Sequence, residues 1–448
     1  MDATPDKGGT TAVFGGGEAF TYRPAVAYGI LFYLLTLYTL SFLDRSVLAL
    51  VVRPLKAELH LDDVQVSLLI GAAFSILYVI AIVPLAFIAD RWSRCVLIAA
   101  GVTIWSLATF FSAFAQGFGA LFLLRMGVGL GEAALAPAAY SLIADTFPRH
   151  RLGRALAIFS IGAPLGQGCS LILGGLVLGA LTAHGPVSLP VAGVLTPWRL
   201  LLLAVGAPGI LLGVLFFLVG EPKRRGSAHT EAGRRSDWLY MLSQWRILLP
   251  NTIARCMIGG TVFGFTVWSP TLLERTYNLA PSASALPIGI AIALGGALGM
   301  WTGGVIGDRM GARGVPDAFV RMLLLSASLQ LPLFALTPLM PSAWLCFAAL
   351  GVATFSQGLQ AGFPAALLQD IAPPRIRARV LAIEMCVISI FIFGLAPTIM
   401  GFASQEVFGE ARLDLAMAAT ATVQLAVAVA CLAITRIQFR HFLERRAG

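Results

Sequence analysis

A short charged segment occurs twice in this chain, and the repeat limits what the chain can fold into. The first copy, AFIADRWSR at 86–94, and the second, GVIGDRMGAR at 304–313, each end a long apolar run, and their Asp-Arg pairs lie 218 residues apart. A further motif, Asp-x-x-Pro followed by Arg-x-Leu-Ala-Ile, recurs at a spacing of 225 residues, from 145–158 to 370–383. The sequence therefore predicts two tandem copies of one unit.

The composition places both copies in a membrane. Of the 448 residues, 58% are hydrophobic and 12% are charged, which is too little polar surface to cover a soluble globule. Apolar runs long enough to cross a bilayer predict twelve spans, at residues 25–52, 65–89, 95–116, 119–144, 152–182, 198–219, 248–273, 284–306, 317–338, 342–369, 379–402 and 412–435. We therefore expect an all-α membrane protein with twelve transmembrane helices in two pseudo-symmetric six-helix bundles, a parallel repeat that is typical of alternating access.

Lys and Arg are concentrated on one side of the predicted topology. If both termini lie in the cytoplasm, the cytoplasmic segments contain about 21 of the 31 Lys and Arg residues and the opposite side about five, as expected for short cytoplasmic loops. We expect a multi-pass protein of the bacterial inner (plasma) membrane with both termini cytoplasmic. The net charge of +9 is then explained by this topology and by contact with lipid headgroups. The lipid bilayer is an expected partner, and nucleic acid is not.

The predicted spans divide the chain into five parts. They are a cytoplasmic tail at 1–24, a six-helix bundle at 25–219, a cytoplasmic amphipathic linker at 220–247, a second six-helix bundle at 248–435 and a basic cytoplasmic tail at 436–448. No removable leader is recognisable before the first span, which should itself direct insertion. The six cysteines fall in or beside apolar spans without metal-ligand spacing. We therefore expect no metal or other cofactor, and we expect a monomer.

Four charged residues of the first half lie within predicted spans, away from the ends. Asp44 and Arg45 are in the first span, while Arg125 and Glu132 are seven residues apart in the fourth, which places both on one helix face. A charge at this depth is costly, so each one needs a partner or a water-filled cavity. We predict a proton-coupling site of Asp44, Glu132 and Arg125, with Arg45 as a neighbouring charge and protons as the coupling ion. A permanent buried ion pair is the alternative.

The repeated charged loops predict a cytoplasmic gate. An aspartate at the end of one helix can accept hydrogen bonds from a neighbouring helix N-terminus, and arginines can reach carboxylates across an interface. Such contacts would hold the cytoplasmic side closed in one state and break in the other. The alternative is that they only order the loops. The gate consists of the two loops and of candidate partners within each copy, namely Asp90, Arg91, Arg94, Asp145 and Arg154, then Asp308, Arg309, Arg313, Asp370 and Arg379.

The second half lacks counterparts of Arg125 and Glu132, so we expect it to contribute more of an amphiphilic substrate pocket. Among its charged residues, Arg255 lies about two turns into the seventh span. Arg321 and Glu384 lie near cytoplasmic ends of spans, where long side chains can reach the interface. For the aromatic residues, ordinary helix packing is the alternative to a pocket. The pocket candidates are Phe263, Phe265, Trp268, Gln357, Gln360 and Phe363.

The repeated loop resembles the G-x-x-x-D-R-x-G-R-R signature of the major facilitator superfamily. In the first copy Ala86 and Ser93 replace the glycines and Cys95 replaces the last basic residue, whereas the second copy keeps both glycines. The resemblance covers residues 25–435. Three further motifs resemble the Spinster family of lysolipid and sphingolipid transporters, namely LDR at 43–45, RMGVGLGEA at 125–133 and SLIADTFP at 141–148.

The resemblance implies a proton-coupled secondary transporter that moves a lysolipid- or sphingolipid-like amphiphile with an anionic or zwitterionic head. It implies Asp44 and Glu132 as protonatable residues and Arg125 as their partner or as a headgroup contact. Organic-anion symporters share similar motifs, so symport of small organic anions such as sugar acids is an alternative, and a non-transporting sensor on the same fold is another. The sequence contains no nucleotide-binding loop, HExxH or GxSxG motif, so we do not expect an enzyme.

Overall fold

The computed structural model describes residues 24–189, 193–222, 235–313, 315, 317–360, 367, 371–372 and 377–447. Nearly all of these residues are helical, because a chain segment in lipid must bond its own backbone N–H and C=O groups. Two three-residue strands, Val187–Leu189 and Gly193–Leu195, pair antiparallel between two of the helices. The described chain is therefore a helical bundle with one short hairpin.

The first half of the chain supplies helices α1 to α10. They are α1 (Pro24–Val47), α2 (Val52–Leu59), α3 (Asp63–Ile70), α4 (Ala72–Arg91), α5 (Arg94–Ser112), α6 (Phe118–Glu132), α7 (Leu135–Thr146), α8 (Arg149–Ser160), α9 (Gly162–His184) and α10 (Pro197–Phe216). A 3-10 turn, Leu48–Leu50, extends α1. Successive helices combine into single spans, as α3 and α4 do over Asp63–Ala89 and α6 and α7 over Phe118–Thr146.

The second half supplies helices α11 to α18. They are α11 (Arg235–Ser243), α12 (Trp245–Tyr277), α13 (Pro281–Ala312), α14 (Ala318–Leu336), α15 (Ala343–Gly358), α16 (Arg377–Ser389), α17 (Ala396–Phe402) and α18 (Leu413–Ala447). Two π-helical segments, Ile390–Leu395 and Ala403–Val407, lie before and after α17, and 3-10 turns occur at Thr337–Leu339 and Glu410–Arg412. Such π-helical turns are rare and occur frequently at functional sites.

The predicted all-α membrane fold is confirmed. Among the described residues, 11 helices are apolar and long enough to cross a bilayer, and α15 supplies a shorter apolar helix of 16 residues. The span that contains α15 is predicted over 342–369, and most of its second part lies outside the described residues. At the other end of the second half, α18 continues to Ala447, so the predicted basic tail is helical where the structure describes it.

Contacts between the two halves are concentrated along two groups of helices. One is formed by α9 and α13, and the other by α3 and α4 against α17 and the π segment Ile390–Leu395. Small residues permit a close approach. A Cβ on Gly175 would lie 2.3 Å from the Cβ of Ala285, and a Cβ on Gly71 would lie 2.6 Å from the carbonyl oxygen of Phe393. A change in the tilt between the halves must therefore separate these backbones.

Two ends of the bundle are defined here by the residues at which helices begin. The second span begins with α3 at Asp63 and crosses the bundle through α4 to the loop before Arg94, where α5 begins. We refer to these ends as the Asp63 end and the Arg94 end. Because the span between them is long enough to cross a bilayer, the two ends lie on opposite sides of the membrane.

Candidate functional site

Four charged side chains are buried inside the first half. Asp44 and Arg45 lie near the end of α1, and Arg125 and Glu132 lie on α6. Their exposed fractions are 2%, 4%, 1% and 3%, respectively. The two residues of α6 are separated by nearly two helical turns, so both face α1, as their spacing predicts.

The four charges form two ion pairs between α1 and α6. Arg45 donates from Nη2 to Oε2 of Glu132. Arg125 Nη1 lies 3.5 Å from Oδ1 of Asp44, whose other carboxylate oxygen accepts a hydrogen bond from the Thr109 hydroxyl. The sequence predicts Arg45 only as a neighbouring charge and Arg125 as the partner of both acids, whereas in the structure each acid has its own arginine.

Several polar atoms of these pairs have no hydrogen-bond partner among the described residues. They are Arg45 Nε, Arg125 Nε, Arg125 Nη2 and Glu132 Oε1. Buried polar atoms are normally bonded to protein or to water, so water or a polar ligand group can bind here. The acids are chemically able to accept protons, and the free guanidinium donors of Arg125 are able to bind an anionic group.

The second half contains a largely buried ion pair that the sequence does not predict. Arg255 Nη1 lies 2.7 Å from Oε2 of Glu384, whose Oε1 accepts hydrogen bonds from Asn251 Nδ2 at 3.2 Å and from the Thr252 hydroxyl at 3.3 Å. The expectation that Glu384 reaches the interface is wrong, because its side chain is buried against α12. Its partner lies on a different helix, which the pattern of one span does not reveal.

A network of charges joins the two halves at the Asp63 end. Asp63 is fully buried and accepts hydrogen bonds from Lys56 Nζ at 2.5 Å and from Arg275 at 2.8 and 2.9 Å. Lys56 also donates to Glu410 at 2.8 Å. Lys56 and Asp63 belong to the first half, whereas Arg275 and Glu410 belong to the second. We call these four residues the Asp63 latch, because they hold the halves together at this end.

The sequence gives the Asp63 latch no functional role. Lys56 and Arg275 are two of the about five Lys and Arg residues predicted on the non-cytoplasmic side. Asp63 stands at the start of a helix, where acidic residues are common. The carboxylate and its arginine partner are 212 residues apart. The one available signal is weak, namely that acidic and basic residues occur in loops on the same predicted side of the two halves.

The predicted cytoplasmic gate is only partly described. Arg94 is buried and lies 2.5 Å from Asp145 Oδ2 and 2.7 Å from Glu221 Oε1, so the loop binds the candidate partner Asp145 of its own copy. Four other arginines of the predicted gate are exposed, namely Arg91, Arg154, Arg309 and Arg313. The side chains of four more lie outside the described residues, namely Asp90, Asp308, Asp370 and Arg379.

Glu221 gives the Arg94 end a pH-dependent stability. Burial alone would raise the pKa of its carboxyl, but hydrogen bonds from the Cys95 N–H, Arg94 and Ser93 outweigh burial and lower this pKa. A lowered pKa contributes stability above the unfolded value of about 4.3, and this contribution is lost as the pH falls through the folded value. Glu221→Gln is therefore expected to lower the melting temperature at pH 7 and to approach the wild type below about pH 4. Thermal unfolding in detergent measures both, and an equal difference at both pH values would contradict the assignment.

The predicted pocket residues are found in different environments. Three aromatic residues are buried on α12, namely Phe263, Phe265 and Trp268. Phe265 packs edge-on against Phe334 with ring centroids 4.9 Å apart, which is ordinary packing between helices. At the end of α15, Gln360 is buried and Gln357 is half-buried. Phe363 lies outside the described residues.

Comparisons with known proteins agree with this architecture. The family model described as Major Facilitator Superfamily matches residues 34–396. An MFS-type efflux pump of Mycolicibacterium smegmatis is 27% identical over 297 residues, which are 66% of this chain and 66% of that protein. A probable L-galactonate transporter of Escherichia coli is 27% identical over 60% of this chain and 59% of its own. The sphingosine-1-phosphate transporter SPNS2 of Danio rerio is 27% identical over 63% of this chain and 56% of its own.

A solved structure with the same fold covers almost the whole chain. The crystal structure of a bacterial homolog of the human lysosomal transporter Spinster superposes with a TM-score of 0.79 at 24% identity, over 94% of this chain and 99% of the other. This match shows the fold, and the similarity to Spinster proteins that the motifs indicate is confirmed by the sequence match to SPNS2. By sequence, the chain spans about two thirds or less of the length of the curated relatives named above.

Proposed function

The chain belongs to the Major Facilitator Superfamily, and from that premise we propose that it is a proton-coupled secondary transporter of an amphiphile with an anionic or zwitterionic head. As a member of this family it is a multi-pass membrane transporter and not an enzyme. The observation that carries the proposal is the pair of incompletely bonded acid–arginine contacts inside the first half. A transporter that exchanges protons needs such groups away from bulk solvent.

Alternating access is supported by the Asp63 latch. Its Lys56–Glu410 and Arg275–Asp63 ion pairs join the halves at one end, so opening at that end requires both pairs to break. We assign the Arg94 end to the cytoplasm, because arginines are concentrated in the loops there, including Arg91 and Arg94. With this assignment both termini are cytoplasmic, and the described state is closed on the opposite side.

Glu132 and Asp44 are the proton carriers in this proposal. A low-dielectric site favours the neutral form of a carboxyl group, whereas an adjacent guanidinium favours the ionised form. Movement of an arginine or hydration of the site therefore changes the proton affinity between states. Protonation of Glu132 releases Arg45, and protonation of Asp44 releases Arg125, whose remaining donors then bind the head of the substrate.

An amphiphilic substrate is supported by the relatives and by the chemistry of Arg125. The similar proteins include a sphingosine-1-phosphate transporter and Spinster proteins, and a guanidinium with free donors suits a phosphate or a carboxylate. A sugar acid has the same anionic group without an apolar chain. The similarity to a probable L-galactonate transporter makes symport of such an acid the second candidate.

Transport in proteoliposomes under an imposed pH gradient separates the two candidates. The panel contains a labelled lysophospholipid, a sphingoid phosphate and a sugar acid, each with and without a protonophore. We expect the pH gradient to accelerate movement of an amphiphile at least fivefold. The protonophore should abolish this acceleration. Gradient-driven uptake of the sugar acid alone would favour the second candidate. Binding without movement of any compound would contradict transport and favour a sensor.

A further inference from the structure

The guanidinium of Arg45 is enclosed by four aromatic rings. Its Cζ atom lies 4.2 Å from the ring centroid of Phe74, 4.7 Å from that of Phe42 and 5.5 Å from that of Tyr78. These three rings belong to α1 and α4 of the first half. The fourth ring, Phe393, lies 4.6 Å away and belongs to the π segment Ile390–Leu395 of the second half. Arg45 is thus a buried charge that both halves contact.

The position of Phe393 is tied to the contact between the halves. Its ring packs edge-on against Phe74, with centroids 6.0 Å apart, and against Phe263, with centroids 5.0 Å apart. Its carbonyl oxygen approaches the backbone of Gly71 closely enough to exclude a side chain there. The π segment therefore cannot move away from α3 and α4 without removing the Phe393 ring from Arg45.

We propose that Phe393 is a positioning residue that transmits the charge state of the Arg45–Glu132 pair to the second half. The inference rests on the proposed proton coupling and adds to it the element through which protonation changes the contact between the halves. Phe393 is suited to this role because it is the ring of the four that the second half contributes.

The direction of the effect follows from the balance of charge around Arg45. When Glu132 is ionised, the guanidinium is neutralised by its carboxylate and covered by the rings, so the closed arrangement is stable. When Glu132 is protonated, a buried cation remains without a counter-ion, and ring faces alone replace a carboxylate poorly. Withdrawal of Phe393 lets water reach the cation. Protonation therefore favours separation of the halves at this contact.

Other ionisable groups surround the pair and are part of the same electrostatic environment. From the helices packed against Arg45 and Glu132, the neighbours are Tyr38, Asp44, Tyr78, Arg125 and Tyr140 of the first half and Cys386 of the second. Asp44 already has Arg125 and Thr109 as partners. Glu132 is the acid in direct contact with the ring-enclosed arginine, so its protonation is the event that Phe393 senses.

Opening at the Asp63 end, measured as a function of pH, tests the proposal. Spin labels are attached to p-acetylphenylalanine at the exposed positions Ala57 and Thr276, which leaves the native cysteines unchanged, and their distance distribution is recorded between pH 5 and 8. In the wild type we expect the open fraction to rise as the pH falls. Phe393→Leu should reduce this pH-dependent change at least fivefold, and Phe393→Tyr, which keeps the ring, should retain it.

The matched control is Phe391→Leu in the same π segment, whose ring lies beside Gly260 rather than Arg45. In this variant the open fraction should change with pH as it does in the wild type. Thermal unfolding is used to verify that each variant is folded. A pH-dependent wild type with an unchanged response in Phe393→Leu, or an equal loss in Phe391→Leu, would overturn the inference alone. A wild type with no pH dependence would overturn the inference and the proposed proton coupling together.

Discussion

Glu132→Gln is expected to abolish accumulation of substrate against its gradient while exchange of substrate between equal concentrations continues. Glutamine keeps the size of the side chain but cannot bind and release a proton, so the imposed pH gradient no longer drives transport. Asp44→Asn should have the same effect, because Asp44 is the second proton carrier. The measurement is the ratio of internal to external substrate in proteoliposomes, which should fall from well above one to one in the variants.

Two further variants make this result interpretable. Glu132→Gln leaves Arg45 as an unpaired buried cation, which costs about 3–5 kcal/mol in comparable cases, so the variant could unfold for that reason alone. The double variant Arg45→Gln, Glu132→Gln removes both charges and should fold while remaining uncoupled. Glu58→Gln is the control. It changes a carboxylate that binds Arg199 and is not part of the buried pairs, so this variant should retain proton-driven accumulation. Undiminished accumulation in both Glu132→Gln and Asp44→Asn would contradict the proton-carrier assignment.

Asp63→Ala is expected to open the bundle at the Asp63 end. The substitution leaves Lys56 and Arg275 close together without the carboxylate that both now contact. Breaking a fully buried ion pair costs about 3–5 kcal/mol, and the partial exposure of the two cations lowers this to about 2–3 kcal/mol. At about 1.4 kcal/mol for each tenfold change, the equilibrium between closed and open states should move by roughly 30- to 150-fold.

The label pair at Ala57 and Thr276 measures this change directly as a longer distance distribution. Arg53→Ala is the matched control, because Arg53 also pairs across the halves, with Glu274 at 2.9 Å, but its side chain is 76% exposed. Exposed ion pairs contribute about 0–1 kcal/mol, so this variant should retain the wild-type distribution. An Asp63→Ala protein with the wild-type distribution would show that the latch does not determine the closed state.

The spans could be predicted from sequence because lipid imposes one local rule on every crossing segment. Backbone groups must be bonded within the helix, so a long apolar run is sufficient to identify each span. The local backbone was less predictable. Gly71 separates α3 from α4, and Ile390–Leu395 is π-helical. Both features lie where the halves touch, so they depend on contacts between segments far apart in the chain.

The residues of the candidate site could also be predicted, because charges inside spans are rare. Their pairing could not. Asp44 and Arg45 are adjacent on α1, and side chains of adjacent helical residues point about 100° apart. The structure turns Arg45 toward Glu132 and Asp44 toward Thr109. The contact of Phe393 with Arg45 and the pair between Glu384 and Arg255 could not be predicted, because each joins helices that are distant in sequence.

Proton binding by the buried acids is measured directly by pH titration of the Glu132 carboxyl group, followed by infrared difference spectroscopy in reconstituted membranes. We expect a carboxylic acid C=O band that changes between acidic and neutral pH in the wild type and is absent in Glu132→Gln. The band of Asp44 is assigned in the same way from Asp44→Asn. Identical difference spectra in the wild type and both variants would contradict the claim, because neither acid would then bind or release a proton.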